Sequence, residues 1–161
     1  MHEQDLHRQA LELWRQGHLQ QTEGDVEGAI RLYQASLEVH PTAEAHTFLG
    51  WAYSLQGRLD EAIAECHKAI ALDPDYGNPY NDIGVYLMQR GELAEAVAWL
   101  ERAKHARRYE PRQFPYINLA RIYVRRGEWQ RALRELEAAA RLAPGEPDAR
   151  RFLHEILARF N

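Results

Sequence analysis

Three glycines constrain this chain more than any other feature. Gly57, Gly91 and Gly127 each lie in a short polar stretch between two apolar-periodic segments, and they stand 34 and then 36 residues apart. A period near 34 belongs to stacked helix-turn-helix units, none of which can bury its apolar face alone. The units aligned by this period are 43–76 (AEAHTFLGWAYSLQGRLDEAIAECHKAIALDPDY), 77–112 (GNPYNDIGVYLMQRGELAEAVAWLERAKHARRYEPR) and 113–146 (QFPYINLARIYVRRGEWQRALRELEAAARLAPGE). A weaker unit at about 10–42 keeps Gly17, Gly24, Ala29, Tyr33 and Pro41 in register but puts Gln16 and Gln20 at positions that are apolar or aromatic elsewhere. Degeneracy suits a terminal unit, whose outer face has no neighbour. The last segment, 147–160, is amphipathic and reads as a capping helix, so residues 1–161 are expected to form a single all-α domain.

Small residues recur where two helices must approach closely: Gly50, Ala62 and Ala69, then Gly84, Ala96 and Ala103, then Ala132 and Ala139. Larger ones, among them Tyr53, Tyr80, Leu100, Tyr116, Tyr123 and Leu136, are suited to fill the spaces between helices. Pro79 and Pro115 fall near helix starts, where a missing amide hydrogen is tolerated. The pattern predicts helices over about 3–22, 25–39, 43–56, 59–72, 78–90, 93–107, 114–126, 129–142 and 147–159, and no strand.

Leu49-Gly50, Tyr53, Ala62, Ala69 and Pro74 reproduce an L-G-x2-Y…A…A…P series. On these residues the chain resembles the tetratricopeptide repeat family. The next unit holds Ile83-Gly84, Leu87, Ala96 and Ala103 with a late Pro111, and the last holds Leu119-Ala120, Tyr123, Ala132, Ala139 and Pro144. The resemblance implies a right-handed superhelical solenoid of antiparallel helix pairs, four repeats and a cap, whose first helices build a concave wall that binds protein segments.

Several other classes are not supported. No two of the eight histidines stand three or four apart, so no helix carries a two-histidine metal face. The G-x4-G-K-[ST] phosphate loop is absent, and Cys66 occupies a slot filled by Tyr33, Leu100 and Leu136 elsewhere, which reads as core. Neither catalysis nor a cofactor is expected. Nucleic-acid binding is not expected either, because the groove positions vary between units and the net charge is −4. No apolar run approaches the roughly 20 residues of a membrane span, and the N-terminus lacks a secretory pattern, so the expected location is cytoplasmic without membrane insertion.

The charge is unevenly spread. Residues 1–99 hold 6 Lys/Arg against 16 Asp/Glu, and residues 100–161 hold 14 against 8. Such a split suits an acidic partner at the C-terminal end or head-to-tail self-assembly into homo-oligomers.

The geometry of the resembled family places Trp14, His18, Thr47, Phe48 and Trp51 on or beside the concave surface. Asn78, Asn81, Asp82 and Val85 follow, then Asn118, Arg121 and Arg125, with Arg151 on the cap. The implied groove grades from aromatic through amide to basic, and Asn81 and Asn118 could hold a peptide backbone. It fits a protein or peptide segment with an acidic portion. The lysine, asparagine and arginine clamp with which relatives grip a terminal carboxylate has no match here: the corresponding slots hold Trp14, His18, Phe48, Asn78 and Asp82, or Thr47, Trp51, Asp82, Phe114 and Asn118. Finally, the junction KHARRYEPRQF at 104–114 is two residues longer than its predecessor, which suggests a prolonged helix or a widened link. Lys104, Arg107, Arg108 and Arg112 are candidates for a second docking patch on the convex edge.

Overall fold

The computed structural model describes residues 2–160. Among them it forms nine helices: α1 (Glu3–Thr22), α2 (Val26–Val39), α3 (Ala43–Leu55), α4 (Leu59–Leu72), α5 (Asn78–Gln89), α6 (Leu93–Lys104), α7 (Gln113–Arg125), α8 (Trp129–Leu142) and α9 (Pro147–Ala158). Helices α1–α8 pack as four consecutive antiparallel pairs and α9 lies against α8, giving a right-handed superhelical solenoid. No described helix is long and apolar enough to cross a membrane.

Each pair turns through a glycine in the left-handed region: Gly24, Gly57, Gly91 and Gly127 have φ of 93°, 77°, 80° and 72°. An L side chain would be strained there. In the first three pairs, a glycine of the first helix receives a filled position of the second, and Ala120 holds that place in the fourth. A Cβ on Gly17 would lie 2.6 Å from the Tyr33 ring, and one on Gly84 2.6 Å from Leu100. On Gly50 it would meet the Ala62 carbonyl oxygen at 2.9 Å, a closer backbone approach than at Gly17 or Gly84, and this pair fills the slot with the smaller Cys66. Tyr33, Cys66, Leu100 and Leu136 are all fully buried, and burial holds the Cys66 thiol well above its ordinary pKa. The thiol is a packing group.

Polar links add register. Glu65 on α4 accepts from His46 on α3 at 2.6 Å and from Lys68 at 3.0 Å. Burial alone would raise the Glu65 pKa, but these hydrogen bonds outweigh it and hold the carboxyl below its usual range.

The first helices of successive pairs touch along the stack, α1 on α3, α3 on α5 and α5 on α7, whereas the second helices make no comparable contact with one another. That difference in spacing curves the stack, with α1, α3, α5 and α7 on its inner wall.

The longer junction departs from the expectation. Helix α6 ends at Lys104, not near 107, and residues 105–112 form an ordered link. Arg112 donates to the Lys104 carbonyl at 2.8 Å, satisfying a helix-end acceptor. A short parallel bridge ties the link to the preceding junction: the Gly77 amide donates to the Arg108 carbonyl and the Arg108 amide to the Asp75 carbonyl, both at 2.9 Å. Tyr109, 4 % exposed, packs with Tyr80, Ala103 and Ala106, its ring pressed on Gly77 where a Cβ could not fit. The added residues widen the junction, and apolar burial of Tyr109 is the physical reason the helix stops early.

Candidate functional site

The inner wall is built from equivalent faces of four helices. On α1 and α3, Trp14, His18, Phe48 and Trp51 form one aromatic cluster. Ring centroids lie 5.2 Å apart for Trp14 and Phe48, 5.0 Å for His18 and Phe48, and 5.8 Å for Phe48 and Trp51. Edge-to-face pairs at these separations favour one another beyond simple burial. Trp14 is mostly covered, its indole N–H without an acceptor among the described residues, whereas Trp51 remains 36 % exposed.

A hollow of about 360 Å³ opens beside this cluster. It gathers His18, Thr47, Phe48 and Trp51 with Asn78, Asn81 and Asp82 of α5, and is closed on the far side by Tyr109, Pro111 and Phe114. Seven of the expected groove residues therefore meet in one place. Tyr109 and Pro111 were not expected there, because they belong to the inserted residues for which the repeat has no template. Thr47 contributes little polarity, since its hydroxyl donates to the Ala43 carbonyl at 2.7 Å within its own helix.

The amides behave differently from the expectation. Asn81 and Asn118 are only 8 % and 6 % exposed, and Asn118 Nδ2 donates to Asn81 Oδ1 at 3.1 Å. Arg121 Nη1 donates in turn to Asn118 Oδ1 at 2.8 Å. These groups form a ladder that locks α5 to α7 and orients Arg121 along the wall. Both ends of the Asn118 amide and the Asn81 carbonyl oxygen are engaged inside the protein, leaving less for a peptide backbone.

Asp82 stands out among the acids. It retains some exposure into the hollow while neighbouring side chains crowd it, and no ion pair among the described residues includes it. Burial pushes its carboxyl up to about 7, with Asn81 pulling more weakly the other way.

Val85 continues the α5 face but packs on the core. Arg125 is exposed one turn beyond Arg121, and Arg151 on α9 pairs with Asp148 at 2.7 Å. None of these three lines the hollow.

Three of the junction cations, Arg107, Arg108 and Arg112, line a second hollow with Tyr76, Asn78 and Glu110, and most of the junction charge is engaged within the protein. Lys104 is nearly buried, bonded to Glu101 and Glu135 at 3.1 Å each and set over the Tyr116 ring. Burial would lower its pKa, and the two carboxylates more than reverse that. Arg108 pairs with Asp73 at 2.6 Å and Glu44 at 3.1 Å while covering Tyr76, and Arg112 holds the end of α6. Only Arg107 stays exposed with no ion pair among the described residues. Pairing of Arg108 to acids of the preceding unit and of Lys104 to Glu135 of the following one absorbs charge that looks free in sequence.

Models described as tetratricopeptide repeat match residues 14–77, 53–113 and 115–156. The chain is 25 % identical over 142 residues to the transcriptional activator NprA of Geobacillus stearothermophilus, a stretch that is 82 % of this chain and 35 % of that protein. Its structure is similar to that of pilF from Pseudomonas aeruginosa, with a TM-score of 0.86, 22 % identity, and coverage of 95 % of this chain and 70 % of the other. It is also similar to YrrB, described as a TPR protein with an unusual peptide-binding site, with a TM-score of 0.66, 17 % identity, and coverage of 87 % and 72 %. At these identities the structural likenesses carry the fold alone.

Proposed function

The chain belongs to the tetratricopeptide repeat family, and from that premise we propose that it is a non-catalytic adaptor whose concave wall holds a segment of a partner protein. Proteins of this family generally act as non-catalytic adaptors. The observation that carries the reading is the open hollow of about 360 Å³, walled by Phe48, Trp51, Tyr109 and Phe114 on the inner face of the curve. Concave sites with aromatic walls and a few convergent polar groups are where ligands bury most surface. Trp51 and Phe114, exposed at 36 % and 38 %, are the natural contact surfaces for an incoming side chain. Farther along the wall, Arg121 and Arg125 favour acidic residues in the same segment, an attraction that salt weakens. The partner is met in the cytoplasm on this reading.

Selection of displayed peptides against the folded chain, followed by titration of the selected peptides, tests this. Trp51→Ala is expected to weaken binding at least about 30-fold, the loss typical of a central aromatic anchor. Arg121→Glu with Arg125→Glu is expected to weaken acidic peptides by about tenfold or more and to flatten their salt dependence. Peptides that bind all variants equally would remove the concave wall as the site.

A further inference from the structure

We propose that the hollow beside Trp51 takes a basic side chain of the partner segment, an arginine above all, with Asp82 as its counter-ion. This deepens the adaptor reading and rests on it. The first ground is charge left unmatched. Neighbouring acids have partners: Asp73 and Glu44 hold Arg108, and Glu65 holds His46 and Lys68. Asp82 has no cation among the described residues, yet its carboxylate lines the hollow. A carboxylate taken from water without a cation is unfavourable, and a guanidinium entering the hollow would supply both charge and donors.

The second ground is the wall. Phe48, Trp51, Tyr109 and Phe114 present aromatic surface around the carboxylate. A cation is attracted to aromatic faces, and a planar guanidinium can stack on a ring while donating to an acid. An acidic side chain would be repelled by the like charge of Asp82, and a purely apolar one would leave the carboxylate buried and unpaired.

The titratable groups around Asp82 do not supply the missing charge. His18 of α1 also lines the hollow, but no ion pair among the described residues joins it to Asp82. Cys66 of α4, Tyr86 of α5, and Tyr76 and Tyr109 from the two junctions all have their pKa values raised, by burial first and by Asp82 as a further contribution. They are therefore neutral near pH 7. Beyond Tyr109, Arg107, Arg108 and Arg112 line a separate hollow with Glu110, and Arg121 is held by Asn118.

The sign of the pH effect follows. The folded carboxyl, near 7, binds its proton more tightly than an unfolded one, so this group favours the fold at low pH and that contribution is lost as pH rises through about 7. Asp82→Asn should therefore leave stability at pH 8 equal or higher. Cation binding needs the ionised form, so it should weaken about tenfold between pH 8 and pH 6.

N-acetyl-arginine amide is the probe, with the neutral N-acetyl-citrulline amide as control, followed by NMR at the Trp51 indole and Asp82 resonances. The expected result is saturable shifts with the arginine probe, at least about tenfold weaker binding of citrulline, and loss of the difference in Asp82→Asn. Loss of the pH dependence in Asp82→Asn assigns it to the carboxylate; its persistence overturns the counter-ion role. Equal binding of the two probes overturns the proposal. If Trp51→Ala abolishes binding of selected peptides while neither probe discriminates, the cation pocket fails and the adaptor reading stands. If the arginine probe binds as stated but no displayed peptide does, the adaptor reading fails and the pocket stands.

Discussion

Leu100→Ala is expected to lower stability by about 3 kcal/mol, within the range for deleting a buried leucine side chain. For a chain of this size that corresponds to a fall of roughly 6 to 12 °C in the thermal midpoint. The reason is specific. Leu100 is fully buried and its isobutyl group fills the space opposite Gly84, where a Cβ would sit 2.6 Å away. Gly84→Ala alone should also destabilise, by about 1 to 3 kcal/mol, because Leu100 has no room to yield. The double variant should cost less than the sum, since the new methyl group occupies part of the cavity left by the leucine. Strict additivity, or a loss below about 1 kcal/mol for Leu100→Ala, would contradict this packing of α5 on α6.

Tyr109→Ala is expected to be the most damaging change in the junction, with a loss of about 3 to 5 kcal/mol by analogy with other buried rings. Its ring fills the space above Gly77, so Gly77→Val should act from the other side and produce a similar defect. Because contacts in a stack of repeats are mainly between neighbours, the damage should stay local. Hydrogen exchange at the Gly77 and Arg108 amides, which close the bridge between the two junctions, should accelerate together. Amides of α1 and α2 should hardly change. The same variant removes one wall of the hollow, so a peptide anchored there should bind more weakly even at temperatures where the rest of the stack is intact. Uniform acceleration across all helices, or unchanged exchange at Gly77 and Arg108, would contradict a local structural role for Tyr109.

The regular part of this architecture was legible because packing repeats with the chain. Gly57, Gly91 and Gly127 mark turns that need positive φ, and Gly24 completes the series. Cys66 could be placed in the core because Tyr33, Leu100 and Leu136 hold the same slot, and all four are fully buried. The aromatic face was equally readable, since Trp14, His18, Phe48 and Trp51 recur at helical spacing on first helices. What the period could not supply was the identity of partners across units. Asn81 and Asn118 looked available for a peptide, yet they lie 37 positions apart in sequence and bond to each other. Lys104 and Arg108 looked like surface charge, yet Glu135, Glu44 and Asp73 meet them from other units. Tyr109 and Pro111 fall in inserted residues that no sister unit can align. The one available signal was a large aromatic side chain in a basic, otherwise polar stretch two residues too long. Asp82 was placed on the groove, but its lack of a cation could be seen only once every neighbour had a position.

Amide chemical-shift mapping of the folded chain with a selected peptide tests the concave site most directly. Binding there predicts the largest shifts at Phe48, Trp51, Asp82, Tyr109 and Asn118, with Trp51→Ala abolishing them. Shifts confined to exposed residues of the second helices, such as Glu95 on α6 and Arg134 and Glu137 on α8, would contradict it.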